Sequence, residues 1–232
     1  MKHQLVLSLI AVVATCGLLS NSSAHAAITS VSGSGQHVPI STDVSFNQFE
    51  SELVSGFDEL QNVSVAANTL KVDFLISAGD VGSQFPGANL PPNSPTYLGA
   101  GSYSSHLLHY DPVGDAGVGG VATFTFDGDV VGIIANTTYL VESDASVGVP
   151  TTTYETSEQR RYESFNGTGD PDLFTIVSSN SVSIDYAYVA FGYLDDLRVI
   201  TAHGTDCAVP EPSTYAMAGL GLLGLLAYRR FR

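Results

Sequence analysis

Short apolar runs rich in valine, isoleucine, phenylalanine and threonine follow one another along this chain, each closed by glycine, proline, asparagine, aspartate or serine. That succession constrains the fold more than any other feature. The runs cover 62–67, 70–77, 104–111, 120–126, 129–135, 172–178, 187–193 and 197–201. Such lengths suit strands bounded by turns. In 120–126, Val121, Thr123 and Thr125 alternate with Ala122, Phe124 and Phe126, the period of an antiparallel strand with one face in a core. The "DGD" between Phe126 and Val130 predicts a hairpin over 120–135. Phe46, Phe49, Leu53 and Phe57 recur at spacings of three and four and fit a short amphipathic helix. Gly56 interrupts that run and leaves short strands as the alternative. No other segment reads as a long helix and there is no internal repeat. The expected class is therefore all-β, a β-sandwich of eight or more strands, with a jelly roll as one form of it.

A length of 232 residues accommodates one such domain with terminal signals to spare. Acidic residues outnumber basic ones 23 to 8, and Lys2, Arg229, Arg230 and Arg232 sit at the two ends. The interior is thus strongly acidic, which excludes nucleic acid as a partner. Two loops, 77–101 and 155–172, are long enough to be functional or mobile.

The first 26 residues read as an export signal: Lys2 and His3, the apolar core "LVLSLIAVVATCGLL", and the small residues of "AHA". Signal peptidase is expected to cut between Ala26 and Ala27. Cys16 follows a hydrophobic stretch, but "VATC" lacks the usual residues of a lipoprotein signal. Removing this segment leaves Cys207 as the sole cysteine, so no internal disulfide is available.

The other end is equally informative. The apolar run 215–228 is bracketed by Tyr215 and Tyr228 and closed by Arg229, Arg230 and Arg232. At about 1.5 Å per residue a helix of that length falls short of the roughly 30 Å hydrocarbon core. Gly219, Gly221 and Gly224 weaken it further, so it suits temporary holding at a membrane, with the arginines in the cytoplasm. "VPEPSTYAMAGLGLLGLLAYRR" is similar to the PEP-CTERM sorting signal of Gram-negative bacteria. That resemblance implies that Pro210, Glu211 and Pro212 are the motif recognised by exosortase, a membrane enzyme that processes the tail. The expected organisation is a signal peptide at 1–26, a β-sandwich ectodomain at 27–206 and a sorting signal at 207–232 with a short transmembrane helix. The stretch from Leu90 to Thr201 also resembles an uncharacterised kind of PEP-CTERM ectodomain, which brings no activity with it.

Within the domain no catalytic or nucleotide-binding signature is present, and no enzymatic activity is expected. His106 and His109 lie three apart in a strand, so one should face the core and the other solvent. His109 and Asp111 share a face, and Asp115 follows in a turn without the ligand spacing of an EF-hand. "YLDDLRV" at 193–199 resembles the closing strand of carbohydrate-binding jelly rolls, where one aspartate helps hold a structural calcium. The resemblance makes Asp195 and Asp196 calcium candidates, against a plain turn role.

The resulting expectation is an exported protein, held transiently at the inner membrane, sorted by exosortase and delivered to the cell surface or extracellular matrix. What the resemblance implies is a structural component accompanying exopolysaccharide in a biofilm. A calcium-containing carbohydrate-binding or adhesive module and a secreted hydrolase are the alternatives.

Overall fold

A computed structural model describes residues 27–86, 96–113, 118–157, 160, 172–188 and 194–202. The signal sequence, the PEP motif, the 215–228 segment, the terminal arginines, Cys207 and Asp115 lie outside these residues. No described helix is long and apolar enough to cross a membrane.

The described part begins with β1 (Ile28–Gly33), β2 (Gly35–His37), β3 (Asp43–Val44), β4 (Val54–Asp58) and β5 (Val63–Val65). Four short strands follow: β6 (Lys71–Val72), β7 (Phe74–Leu75), β8 (Gln84–Pro86) and β9 (Thr96–Tyr97). The long strands β10 (Gly101–Tyr110) and β11 (Val118–Phe126) come next, then β12 (Asp129–Ile134) and helix α1 (Thr137–Val147). The remaining strands are β13 (Thr153–Tyr154), β14 (Leu173–Ser178), β15 (Ser181–Tyr188) and β16 (Asp195–Ala202).

Two sheets dominate. One has five strands in the order β1-β11-β15-β14-β8, and the other runs β2-β4-β10-β16-β12-β7, with β5 pairing the far end of β10. Their facing sides share one hydrophobic cluster, to which Phe124, Phe126, Phe174, Ile184 and Tyr186 come from the first sheet and Val54, Leu108, Ile133, Leu197 and Val199 from the second. The described residues are mostly β, in line with the all-β class expected from the sequence except for one helix.

The second sheet is covered on its other face as well. Ile134 and Ile200 pack there against Tyr139, Leu140 and Val147 of α1, and Leu107 and Phe57 pack against Val44 and Tyr154. Double coverage explains why every residue of β16 from Asp195 to Thr201 is buried, whereas a half-exposed strand would alternate.

Three local expectations are corrected. Residues 120–135 form no hairpin: β11 pairs with β1 and β15, while β12 pairs with β16 and β7. A two-residue hairpin turn of the expected type needs φ above zero at both central positions, and neither Asp127 nor Gly128 has it. The turn instead carries the chain from one sheet to the other, with Phe126 N and Val130 N donating to Asn180 O and Ser179 O.

No helix forms over 46–57. Asn47 has φ 59°, which breaks helical backbone, and Phe57 enters β4. Gly56 is required there, because a Cβ would lie 2.5 Å from the Phe124 ring and 2.9 Å from Ile28 Cδ1. The helix that does form, α1, lies at 137–147, where none was expected. The Asn136 side chain caps it by accepting from Thr138 N at 2.9 Å.

Candidate functional site

Among the described residues, the face of β16 turned toward α1 carries the densest polar chemistry. Alternation along β16 sends Leu197 and Val199 to the inter-sheet core and Asp196, Arg198 and Ile200 to the side of α1. Arg198 has no exit to water and its side chain is 0% exposed. It is held by Glu59, just past β4: Nε donates to Oε2 and Nη2 to Oε1, both at 2.7 Å. Nη2 also donates to Asp144 Oδ1 at 2.8 Å, and Nη1 donates to Leu140 O at 3.1 Å and to the Ser143 hydroxyl.

Asp144 passes the network on. Its Oδ2 accepts from Arg160 Nη1 at 2.6 Å, and Arg160 Nε donates to Asp196 Oδ2 at 2.7 Å. Asp196 Oδ1 in turn accepts from His109 Nδ1 at 2.7 Å. Glu59, Arg198, Asp144, Arg160, Asp196 and His109 thus form a line of alternating acidic and basic groups. Tyr154 roofs it, with its ring centroid 5.1 Å from the Arg160 guanidinium and 5.5 Å from that of Arg198, a cation–π placement. Its hydroxyl donates to Glu59 Oε1 at 2.8 Å.

Burial alone would lower the pKa of Arg198, but Glu59 and Asp144 raise it above the ordinary value. Burial likewise opposes ionisation of Asp196, and the charges and hydrogen bonds of His109 and Arg160 outweigh it, so its pKa is lowered. Burial and the neighbouring Glu59 push the Tyr154 phenol up. His109 Nε2 faces Phe49 O at 3.3 Å, so both ring nitrogens of this buried side chain lie beside oxygen atoms.

A smaller polar cluster lies on the opposite face of β10. His106 Nδ1 contacts Asp58 Oδ1 at 2.8 Å and its Nε2 contacts Thr201 Oγ1 at 3.0 Å. His37 Nε2 reaches Asp58 Oδ2 at 3.0 Å. Burial would raise the Asp58 pKa, but His106, the Ile28 N–H and His37 lower it. Hydroxyl, imidazole and carboxylate stand in the order of a nucleophilic triad. Thr201 and His106 are both 0% exposed, so this order joins β16, β10 and β4 rather than presenting a nucleophile.

His106 and His109 do point to opposite faces, yet neither is exposed, because both faces of this sheet are covered. Asp195 and Asp196 sit opposite Tyr110 and His109, and both Asp196 oxygens are occupied by Arg160 and His109. No described group of three or more His, Cys, Asp or Glu side chains is placed to hold a metal. Asp111 is buried with Oδ2 accepting from Asn47 N at 2.7 Å. Sequence reasoning missed Glu59, Asp144, Tyr154, Arg160 and Arg198. The available signal was Arg198 itself, an arginine inside the apolar strand "LRVIT".

Comparison with known families matches residues 208–230 to the PEP-CTERM protein-sorting motif. That motif implies an exported protein sorted by exosortase to the cell surface. No curated protein and no solved structure matches the chain.

Proposed function

We propose that the chain is a structural component of the cell surface or extracellular matrix, in which a two-sheet sandwich is exported, processed at its tail by exosortase and retained beside exopolysaccharide. The observation that carries this reading is the sorting motif at 208–230. It directs a domain whose most elaborate chemistry, the alternating ionic line, is spent on holding its own strands and helix together. Pro210, Glu211 and Pro212 are the recognition motif and Arg229, Arg230 and Arg232 hold the uncut tail at the membrane.

The outer face of the five-stranded sheet supports contact with a neutral hydroxylated polymer. Thr123, Thr125, Thr175 and Ser183 point away from the inter-sheet core, and Thr123 Oγ1 donates to Ser183 Oγ at 3.1 Å. Apart from Asp185, these strands show no charged side chain on that side.

The test is expression in strains with and without exosortase, followed by intact mass and cell fractionation. The reading expects loss of the tail's mass and release to the surface only when exosortase is present. An unchanged mass and location in both strains would overturn it. Replacing Pro210, Glu211 and Pro212 together by alanine should reproduce the strain lacking exosortase.

A further inference from the structure

The first strand begins one residue after the bond that signal peptidase is expected to cut. Ala27 N donates to Asp127 Oδ1 at 2.7 Å, and Asp127 N donates back to Ala27 O at 3.1 Å. Residue 27 is therefore gripped by both the side chain and the backbone of one residue in the turn between the two sheets. The ladder does not need that carboxylate, since its first Cα pair is Ile28 with Phe126. The next residue is fixed separately: Ile28 N donates to Asp58 Oδ1 at 3.0 Å, and its side chain is in the inter-sheet core.

A backbone N–H is satisfied by any carbonyl. A carboxylate at 2.7 Å is the partner suited to a cation, because ionised acceptors give the shorter and stronger bonds. Hydrolysis between Ala26 and Ala27 adds water across the amide: oxygen goes to the Ala26 carbonyl carbon, the C–N bond breaks, and nitrogen departs on Ala27 as an amine. An α-amino group with a pKa near 8 then takes up a proton at neutral pH.

We propose that Asp127 is the receptor for the α-ammonium group created at Ala27, so that removing the signal peptide turns an amide hydrogen bond into an ion pair that fastens β1 to the edge of its sheet. The proposal rests on the cleavage reading for Ala26 and Ala27. Its corollary is an order of events. A protease needs accessible, undocked backbone on both sides of its bond, and Ile28 is buried with its N–H committed to Asp58. Cleavage therefore precedes the docking of β1, and docking then sets the new terminus beside Asp127 at the surface. Asp58 is the other carboxylate at this strand start, and it is engaged by His37 and His106.

The experiment uses protein exported from the full-length precursor. Terminal sequencing and intact mass first establish the mature N-terminus. The α-amine, reductively methylated with 13C-formaldehyde, is then titrated by NMR in the wild type and in Asp127→Asn. The expected result is a terminus at Ala27, with the wild-type amine titrating roughly 0.5 pH units or more above the variant at low salt. That gap should shrink in 0.5 M salt, since exposed ion pairs are screened. A terminus other than Ala27 would sink the cleavage reading and this proposal with it. A terminus at Ala27 with identical titrations leaves the cleavage reading standing and overturns the proposal. Should Asp127→Asn fold poorly, the wild-type amine alone decides: a midpoint that does not fall with added salt overturns it.

Discussion

Arg198 meets Glu59 through two parallel hydrogen bonds, Nε to Oε2 and Nη2 to Oε1, each 2.7 Å long and both shut away from water. The pair joins β16 to the residue that follows β4, and Asp144 brings α1 to the same guanidinium.

Breaking that pair from one side leaves a buried charge without its partner. Glu59→Leu and Arg198→Met should each cost about 3–5 kcal/mol, whereas the double variant should cost much less than the sum, because desolvation of both ions disappears together. Urea denaturation of the two single variants and the double variant measures the coupling. Additive losses would show that the two side chains act independently.

Acid should act on two sets of carboxyls in opposite directions. Asp58 and Asp196 have folded pKa values below the ordinary 3.8. Their stabilisation is complete above that value and disappears as pH falls through the folded values. Asp111 is the reverse, since burial raises it to about 6. Its contribution is complete below 3.8 and lost as pH rises through about 6. Asp111→Asn should therefore improve in urea midpoint relative to the wild type at pH 7.5 compared with pH 4.5. Parallel curves for the two proteins across that range would refute the assignment.

Much of the strand content was legible because short β-branched and aromatic runs closed by turn residues mark the segments around β5, β10, β11, β12, β14 and β16, although β10 and β16, covered on both faces, lack the two-residue period that β11 shows. Partner choice was not. "DGD" reads as a hairpin locally, but Phe126 and Val130 belong to different sheets, a decision made by packing rather than by the turn. The helix α1 was hidden because its buried side includes Thr137 and Ser143 beside Leu140 and Val147, which blurs an apolar period. Polar residues sit there because Ser143 meets Arg198 and the Thr137 hydroxyl donates to Arg160 O. The ionic line was illegible for the same reason that loop pairings are: Glu59, Asp144, Arg160 and Arg198 come from four separate parts of the chain. The tail, by contrast, is a contiguous signal, and its sorting motif was readable directly.

Gly56→Ala should disturb the inter-sheet core by about 1–3 kcal/mol through overpacking, since the new methyl would meet Phe124 and Ile28 at the distances given above. A thermal melt is sufficient. Pairing the change with Phe124→Leu should recover part of the loss, and an unaltered melting temperature in Gly56→Ala would mean that the sheets can move apart there.

Removing calcium should leave the melting temperature where it was. Asp196 has both oxygens committed to Arg160 and His109, and a ligand that bound only the folded state would raise the melting temperature by an amount that grows with the logarithm of its concentration over Kd. A drop on adding chelator that is absent from Asp195→Asn or Asp196→Asn would restore these residues as calcium ligands.

β16 is the last strand described, yet it lies inside its sheet between β10 and β12. Glu59 leaves the ribosome 139 positions before the Arg198 that it must wait for. Contacts this distant in sequence delay folding, because the intervening chain must be ordered before they form. While the protein crosses the membrane, the larger sheet therefore has a gap at its middle that only the final segment can fill. β16 ends at Ala202 and the sorting motif begins at residue 208, so completion of the domain and synthesis of its sorting motif are nearly the same event. A chain interrupted before that point carries neither a finished core nor a destination.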